Sequence, residues 1–281
     1  MRRYRRPLGA RLLTAIAHAI LFLGAIIMVL PMLWMLVTSF KPGPEIAIWP
    51  PVWLPKEPTL ANYSGVFETA PFGRFFLNST GMSLVATLSV ALTSLLAGAV
   101  FAKYRFPLRT ALFGLIIATA IVPFESYMIP LYIQLNTIGW INTYQGIVLP
   151  TLFMSFGIFL MRQHVASAIP TDYLEAARID GASEWRIFYS IMVPLASSVI
   201  FSTCIIMSVV IWNQFFIPLV FLQSDAVKTV PLKILSFTSF IFNRSDVALS
   251  GSVVATVPLL VLFFIFSKRI INSIVSGGIK G

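Results

Sequence analysis

Charged side chains are scarce in this chain: they make up 11% of its 281 residues, whereas 58% are hydrophobic, and the mean hydropathy is +0.88. So little charge excludes an ordinary soluble domain and indicates a membrane protein. The formal net charge of +10 comes from Lys and Arg residues that are spread over the ends of apolar runs. Because these charges are not collected on one face, they do not predict a nucleic-acid partner.

Cysteine and histidine are almost missing. One cysteine, Cys204, excludes an intrachain disulfide framework and a Cys-based metal site. The two histidines, His18 and His164, have no carboxylates at ligand spacing, so they predict neither a metal site nor catalysis. The sequence also lacks a G-x-x-x-x-G-K-[ST] phosphate loop, so we expect no cofactor on this chain.

What the chain does contain is long uncharged sequence. A transmembrane helix needs about 20 mostly apolar residues, and there are enough for six crossings, which predicts an all-α membrane protein. A polar, Gly-containing turn over residues 136–146 separates the third span from the fourth. The predicted spans are residues 12–38, 75–102, 110–131, 144–161, 195–217 and 249–268.

The orientation follows from the distribution of Lys and Arg, which favour cytoplasmic loops. With the N-terminus inside, fourteen basic residues fall on the cytoplasmic side and six outside. We therefore predict that both termini are cytoplasmic and that the loop of residues 165–193 faces the cytosol.

Ionisable residues are also rare inside the predicted spans, with Glu125 the nearest exception. An ion-coupled carrier or channel would need a membrane-embedded ionisable cluster or a filter, and an intramembrane enzyme would need paired Asp, Ser–Lys or clustered His. The carrier stays a distant alternative, and the energy for any transport should enter through another subunit.

The cytosolic loop contains the charged stretch DYLEAARIDGASEWRIFYSIMVP. Thr171 or Asp172 can cap a helix just after Pro170, and Asp172 and Glu175 have capping-box spacing. This helix is expected to run to Gly181, and Ser183 is placed to cap a second helix. The small residues Ala177 and Gly181 would let another backbone approach closely. The second helix has an apolar stripe formed by Trp185, Phe188, Tyr189 and Met192. The loop is thus either a docking element for a partner or a surface hairpin that only joins two membrane helices.

The spacing of this loop resembles a known motif. Glu175 to Ala177, Gly181, Ile191 and Pro194 match the EAA-x3-G-x9-I-x-L-P loop of the permease subunits of bacterial ATP-binding cassette (ABC) importers, with Val193 in place of the usual Leu. Other short stretches are similar to the carbohydrate branch, maltose and glycerol-3-phosphate type. They are TSFKP (38–42), FLNS (76–79), YRFPLR (104–109), NTYQGIVLP (142–150), EAARIDGAS (175–183) and WNQF (212–215).

The resemblance implies the type I ABC importer permease fold and a place in the bacterial inner membrane. It also implies several partners: a second permease subunit, two ATP-binding subunits that hold ATP and Mg, and an extracytoplasmic solute-binding protein. The loop would be the coupling helix that docks into the ATPase subunit. The residues expected to make that contact are Glu175, Ala176, Ala177, Asp180, Gly181, Ala182, Ser183, Glu184 and Trp185.

A sugar-like solute is predicted from the fifth span. Trp212 offers a flat face to a sugar ring, and the amides of Asn213 and Gln214 can both donate to and accept from hydroxyl groups. Interhelical hydrogen bonding is the alternative for these amides. Tyr127 and Asn78 are further candidates for the solute path. Because no Lys or Arg lies in the interior of the predicted spans, we favour a neutral oligosaccharide over glycerol-3-phosphate or a glycerophosphodiester.

Two outer segments could receive the solute-binding protein. Residues 41–63 are rich in proline and are expected to be extended. Residues 218–246 form the second outer surface, and the resemblance favours this one.

Overall fold

A computed structural model describes residues 8–238 and 244–278, and every regular element in these ranges is a helix. The α-helices are α1 (Leu8–Thr38), α2 (Gly43–Ile46), α3 (Ala61–Thr69), α4 (Phe72–Lys103), α5 (Arg109–Thr119), α6 (Phe124–Thr137), α7 (Tyr144–Thr151), α8 (Ser155–Ala168), α9 (Thr171–Ile179), α10 (Glu184–Ile187), α11 (Val193–Leu195), α12 (Ser197–Trp212), α13 (Phe216–Phe221), α14 (Val230–Phe237) and α15 (Ser245–Gly278). A π-helical turn, Phe188–Met192, joins α10 to α11.

Within these ranges, four helical stretches are long and apolar enough to cross a membrane: Leu12–Thr38, Phe72–Lys103, Tyr144–Ala168 and Ser245–Ser267. Two bent helix pairs raise the number to six if each pair forms one span. These pairs are Arg109–Thr119 with Phe124–Thr137, and Glu184–Leu195 with Ser197–Trp212. The protein is thus an all-helical protein with four to six candidate spans.

The third predicted span is not one continuous helix. It is broken over residues 120–123, where α5 and α6 meet at 94°. Pro123 precedes α6, and the residue before a proline is driven out of the helical region. An apolar run whose composition alone predicts one helix therefore forms two.

The chain forms two compact units, Met1–Pro71 with Ile234–Ala255, and Phe72–Lys233 with Thr256–Gly281. In the first unit, the segment predicted to be extended is irregular over most of its length but also forms α2 and the start of α3. Lys41 is buried there: its Nζ donates to the carbonyl of Val52 (2.5 Å) and lies 4.2 Å from the Trp34 ring centroid. Asn62 donates to the carbonyls of Ser39 (2.8 Å) and Lys41 (2.7 Å). These bonds satisfy buried polar groups that would otherwise be costly.

The second unit is built around α4 and α8, which approach each other through small residues. A Cβ atom on Gly98 would lie 2.6 Å from Met161 Cβ and 2.8 Å from the Arg162 backbone nitrogen. A Cβ atom on Gly157 would lie 2.3 Å from Ser94 Oγ. Small residues of this kind let transmembrane helices make close backbone contact.

Two apolar clusters fill the second unit. The first joins α4 and α8 to α9, α10 and the π-helical turn; its fully buried members include Met161, Leu174, Ile187 and Met192. The second joins α4, α6, α7, α13 and α14 around Phe221. The first cluster packs against the charged segment between α8 and α12, and the second packs against the loop between α13 and α14.

Candidate functional site

The charged segment between α8 and α12 is a helix, a tight turn and a second helix. We refer to residues 171–187, which contain α9 and α10, as the corner segment. Gly181 lies in the turn with φ +80°, and the amides of Gly181 and Ala182 donate to the carbonyls of Arg178 (3.0 Å) and Ala177 (2.9 Å). This is a Schellman motif, in which a residue with positive φ satisfies the free carbonyls of a helix end.

The two predicted helix caps have different outcomes. Ser183 Oγ accepts from the backbone amide of Arg186 (3.3 Å), which confirms the cap of α10. The cap at Thr171 or Asp172 is wrong, because α9 already starts at Thr171, directly after Pro170, and has no side-chain cap. Asp172 instead lies in the first turn, where its negative charge favours the helix dipole.

One face of the corner segment is buried in the first apolar cluster. Leu174 and Ile187 are fully buried, and Ala177 and Ala182 are partly buried against the same cluster. Ala177 therefore packs on its own chain, whereas its small size suggested the approach of another backbone. Burial of this face orients the opposite face outward.

The outward face carries most of the predicted contact residues. Of the nine, those exposed are Glu175, Ala176, Asp180, Gly181, Ser183, Glu184 and Trp185. Two apolar residues missed from the sequence join them: Ile179, at the turn, is 87% exposed, and Tyr173 is also exposed. The predicted stripe on the second helix is split, because Phe188 and Met192 are buried while Trp185 and Tyr189 are exposed and stacked. Exposed apolar side chains that lie together are typical of surfaces that contact another protein or a membrane.

The turn of the corner segment is closed by an ion pair. Arg178 Nε lies 2.7 Å from Glu184 Oε1, and Arg178 Nη2 lies 3.2 Å from Oε2. Tyr104, just beyond α4, donates its hydroxyl to Glu184 Oε2. The hydrogen bond from Arg178, then that from Tyr104, lowers the pKa of Glu184 below its usual value. Glu184 is therefore an ionised acceptor at neutral pH.

At the other end of the second unit lie the candidates for solute contact. Trp212 is buried, and its ring meets Phe76 edge-on with centroids 5.6 Å apart. Asn213 is exposed and donates to the carbonyl of Val209 (2.8 Å), within its own helix end. Gln214 is partly buried and, with Trp212, lines a cavity of about 20 Å³, which has room for about one water molecule. Trp212 and Gln214 are thus brought together.

A larger cavity, of about 420 Å³, lies between α4, α12 and α15, and Trp212 forms part of its wall. All its lining residues are uncharged, and its surface is almost entirely apolar. The hydroxyl groups of Thr80 and Ser208, which border it, donate to backbone carbonyls of their own helices. Tyr127 is not part of this wall; it is partly exposed on α6, where its ring packs on Phe124. The cavity can hold an uncharged solute and offers no group to neutralise an anion.

Asn78 has a full set of contacts within its own chain. Its Nδ2 donates to the carbonyls of Ala226 (3.1 Å) and Lys228 (3.0 Å), and its Oδ1 accepts from the hydroxyl of Tyr144 (2.9 Å). The next residue, Ser79, accepts from the amide of Val230 (2.8 Å). Asn78 thus attaches residues 222–230 to α4, and we call these residues the tethered loop. Contact between Asn78 and a solute stays a prediction.

Asn142 fixes the other end of the tethered loop and was missed in the sequence. Its Oδ1 accepts from the amides of Gln223 (2.9 Å) and Ser224 (2.9 Å) and from Ser224 Oγ (3.1 Å). Its backbone has φ +61°, a conformation that Asn tolerates better than most residues. The signal was available, since an Asn beside a predicted apolar span needs buried partners.

Asn142→Ala should release the tethered loop, because it removes an acceptor shared by three donors and adds strain at a positive φ. We expect trypsin to cut the detergent-purified protein at Lys228 several-fold faster. Asn136→Ala, at an exposed asparagine of α6, is the matched control. Equal cleavage rates in the two variants would contradict the tether.

Within the described part of the chain, no group of three or more His, Cys, Asp or Glu residues could hold a metal ion. The features that remain are a multi-helix apolar body, an uncharged cavity and an exposed helical corner with apolar and acidic residues. Together they are features of a membrane protein with several helical spans.

Comparison with known proteins identifies the family. Residues 94–276 match the model of the binding-protein-dependent transport system inner membrane component, so the chain belongs to that family. It is therefore a permease subunit of an ABC importer, a multi-pass protein of the inner membrane, and a transport protein rather than an enzyme.

Several characterised permeases are similar over nearly the whole chain. The arabinooligosaccharides transport system permease protein AraQ of Halalkalibacterium halodurans is 33% identical over all of both chains. The lactose permease protein LacG of Rhizobium radiobacter is 31% identical over 97% of this chain and 98% of its own. The diacetylchitobiose uptake permease protein NgcG of Streptomyces coelicolor is 33% identical over 95% of this chain and 89% of its own.

The fold is shared with a solved transporter. A chain in the crystal structure of a bacterial ABC transporter involved in the import of the acidic polysaccharide alginate has a TM-score of 0.80 and 19% sequence identity. The match covers 95% of this chain and 99% of that one. At this identity the likeness establishes the ABC importer permease fold.

Proposed function

We propose that this permease forms half of the translocation path for a neutral sugar, most specifically an oligosaccharide. The observation that carries the proposal is the chemistry of the 420 Å³ cavity, whose wall includes Trp212 and carries no charge. An aromatic face suits a sugar ring, whereas a phosphate needs cationic partners. The three relatives, named for arabinooligosaccharides, lactose and diacetylchitobiose, support the same class of solute.

The corner segment is proposed to couple the path to ATP hydrolysis. Both termini and this segment would lie in the cytoplasm, with ATP and Mg bound by two partner ATPase subunits. Its outward residues, Glu175 and Asp180 together with Ile179 and Trp185, would enter a cleft on the ATPase. A second permease subunit completes the path, and an extracytoplasmic solute-binding protein delivers the solute. Closure of the ATPases then rocks the permeases between two openings as a rigid-body switch.

Within the solute path, we assign direct contact to Trp212 and Gln214, which share a cavity wall, with Asn213 at the adjacent helix end. Tyr127 and Asn78 remain proposed contacts of the path. For Asn78, contact requires a conformation in which its bonds to residues 226 and 228 open. The exposed part of Tyr127 needs no such change.

The tethered loop, with the rest of residues 218–246, is proposed to receive the binding protein. Asp225 lies 2.7 Å from Lys228 and 3.2 Å from Lys233, and the hydrogen bond from Lys228 contributes most to lowering its pKa. This charged, fixed surface can offer a constant shape to a partner. Residues 239–243 of the segment lie outside the described residues.

The test is purification of the tagged chain from its host membranes, followed by uptake into proteoliposomes. We expect two ATPase subunits and one further permease to co-purify, and ATP-dependent uptake of an oligosaccharide but not of glycerol-3-phosphate. Glu175→Arg should leave the chain in the membrane and abolish uptake, because it reverses a charge on the outward face of α9. Purification without an ATPase would contradict the coupling role, and preferred uptake of glycerol-3-phosphate would contradict the sugar.

A further inference from the structure

Tyr104 joins the corner segment to the helical body by a polar contact that the proposed function does not use. Its backbone amide donates to the carbonyl of Val100 (3.1 Å), so the residue continues the hydrogen-bond ladder of α4. Its hydroxyl donates to Glu184 Oε2, on the first residue of α10. A residue attached to the end of the longest helix of the second unit thus holds the start of the second helix of the corner.

The same tyrosine also contacts the first helix of the corner. The guanidinium carbon of Arg178, on α9, lies 5.6 Å from the centroid of the Tyr104 ring. Arg178 in turn holds Glu184 through two hydrogen bonds. Tyr104, Arg178 and Glu184 therefore form a closed triangle that spans α4, α9 and α10, and we call it the corner triangle.

The electrostatics of the corner triangle are consistent with one unit rather than three separate surface groups. Burial, followed by the hydrogen bond to Glu184, raises the pKa of Tyr104, which keeps its hydroxyl protonated as a donor. The hydrogen bond with Glu184 is also the largest factor that raises the pKa of Arg178. Each group is held in the protonation state that the other two require.

An exposed ion pair contributes little to stability, so stability does not explain this arrangement. The apolar cluster under the corner, with Leu174 and Ile187 at its centre, already supplies the burial. Apolar contacts are non-directional, however, and they leave the corner free to tilt on the body. Directional hydrogen bonds from two helices to one carboxylate remove that freedom.

We propose that Tyr104 is a positioning residue that fixes the orientation of the corner segment on α4 through the corner triangle, so that a movement imposed on the corner by an ATPase is transmitted to the membrane helices. The proposal rests on the coupling role assigned to this segment above. The residues that touch the ATPase need not include Tyr104, because it acts through Glu184 and Arg178. Its loss should therefore separate ATP hydrolysis from solute movement.

The test is Tyr104→Phe in the full transport complex, since this change removes the hydroxyl and keeps the ring against Arg178. We expect the complex to assemble and to hydrolyse ATP at the wild-type rate, while solute transported per ATP falls about fivefold, a typical size for coupling between sites. Tyr132→Phe is the matched control, because Tyr132 packs on Phe221 in the second apolar cluster.

The ratio of transport to hydrolysis distinguishes positioning from a merely structural role. A structural defect would lower the amount of assembled complex and reduce both rates together, and that result would overturn the proposal. An unchanged ratio in Tyr104→Phe would overturn it too. Failure of the proposed function is a separate outcome, since it appears in the wild-type complex as the absence of ATPase subunits or of ATP-driven uptake.

A charge exchange provides an independent check that does not depend on Tyr104. Arg178→Glu and Glu184→Arg should each lower the ratio, because each leaves two like charges at the turn. The double variant should recover part of the ratio by restoring an ion pair between α9 and α10. Additive losses in the double variant would contradict a positioning role for the Arg178–Glu184 pair, which forms one side of the corner triangle.

Discussion

Gly181→Val should abolish solute uptake while the protein stays folded in the membrane. Gly181 has φ +80°, and no atom lies within 4 Å of the position that a Cβ would take. The substitution therefore acts through backbone strain alone, which costs about 1–2 kcal/mol for an ordinary residue and more for a β-branched one. Strain of this size favours another backbone conformation of the turn by about tenfold. The exposed face of the corner segment then no longer has the shape that the ATPase is proposed to bind.

Two variants make this prediction specific. Gly139, in the turn after α6, has φ +71° and equally open surroundings, so Gly139→Val adds similar strain outside the corner segment. We expect Gly139→Val to retain uptake, which is measured with labelled solute in vesicles at equal protein levels. Gly181→Asn should retain more uptake than Gly181→Val, because Asn tolerates a positive φ. Equal loss in the two valine variants would show that strain, and not the corner, causes the defect.

Gly98→Ala should destabilise the membrane body itself. An alanine in the middle of a helix is normally about 1 kcal/mol more favourable than a glycine. Here its Cβ would lie 2.8 Å from the Arg162 backbone nitrogen and 2.6 Å from Met161 Cβ, and backbone cannot move aside as a side chain can. Overpacking costs about 1–3 kcal/mol. This steric cost exceeds the gain in helix propensity, so Gly98→Ala destabilises the protein instead of stabilising it.

The control for Gly98 lies on the same helix. Gly81 has nothing within 4 Å of its Cβ position, so Gly81→Ala should be neutral or stabilising. We expect Gly98→Ala to lower the thermal unfolding midpoint of the detergent-purified protein and its level in the membrane. A midpoint equal to that of Gly81→Ala would mean that α4 and α8 do not pack through Gly98.

The membrane spans show which features of the helices can be predicted from composition. The second predicted span, residues 75–102, lies within α4, and the first and sixth lie on the long helices α1 and α15. The fourth, residues 144–161, covers α7 and part of α8, with a break over residues 152–154. Long apolar runs form helices because a bilayer forces apolar sequence to satisfy its backbone hydrogen bonds within a helix. Composition does not reveal where a helix breaks, and Pro123 and Pro194 mark the two bent pairs. Their effect depends on which neighbours can satisfy the freed backbone groups.

In the corner segment, too, local features can be predicted from the sequence, whereas the orientation of side chains cannot. The turn at Gly181 and the cap at Ser183 follow from local residue chemistry, because each acts within four residues along the chain. Which of its side chains face outward does not follow, because Phe188 and Trp185 carry similar apolar character and only packing separates them. The EAA spacing still located the segment, since a long motif fixes the relative positions of its residues.

The sequence by itself determined that this protein is an all-helical membrane protein with a charged helical corner, because apolar run lengths and short-range turn chemistry act locally along the chain. Its resemblance to the EAA motif indicated a permease. Only the tertiary structure decided that Asn78 and Asn142 hold the tethered loop and that Tyr104 holds Glu184, contacts between residues about 80 to 150 positions apart. A hydrogen bond between distant residues exists only where packing brings donor and acceptor within about 3 Å. No periodicity or spacing along the chain predicts which distant residues meet in this way.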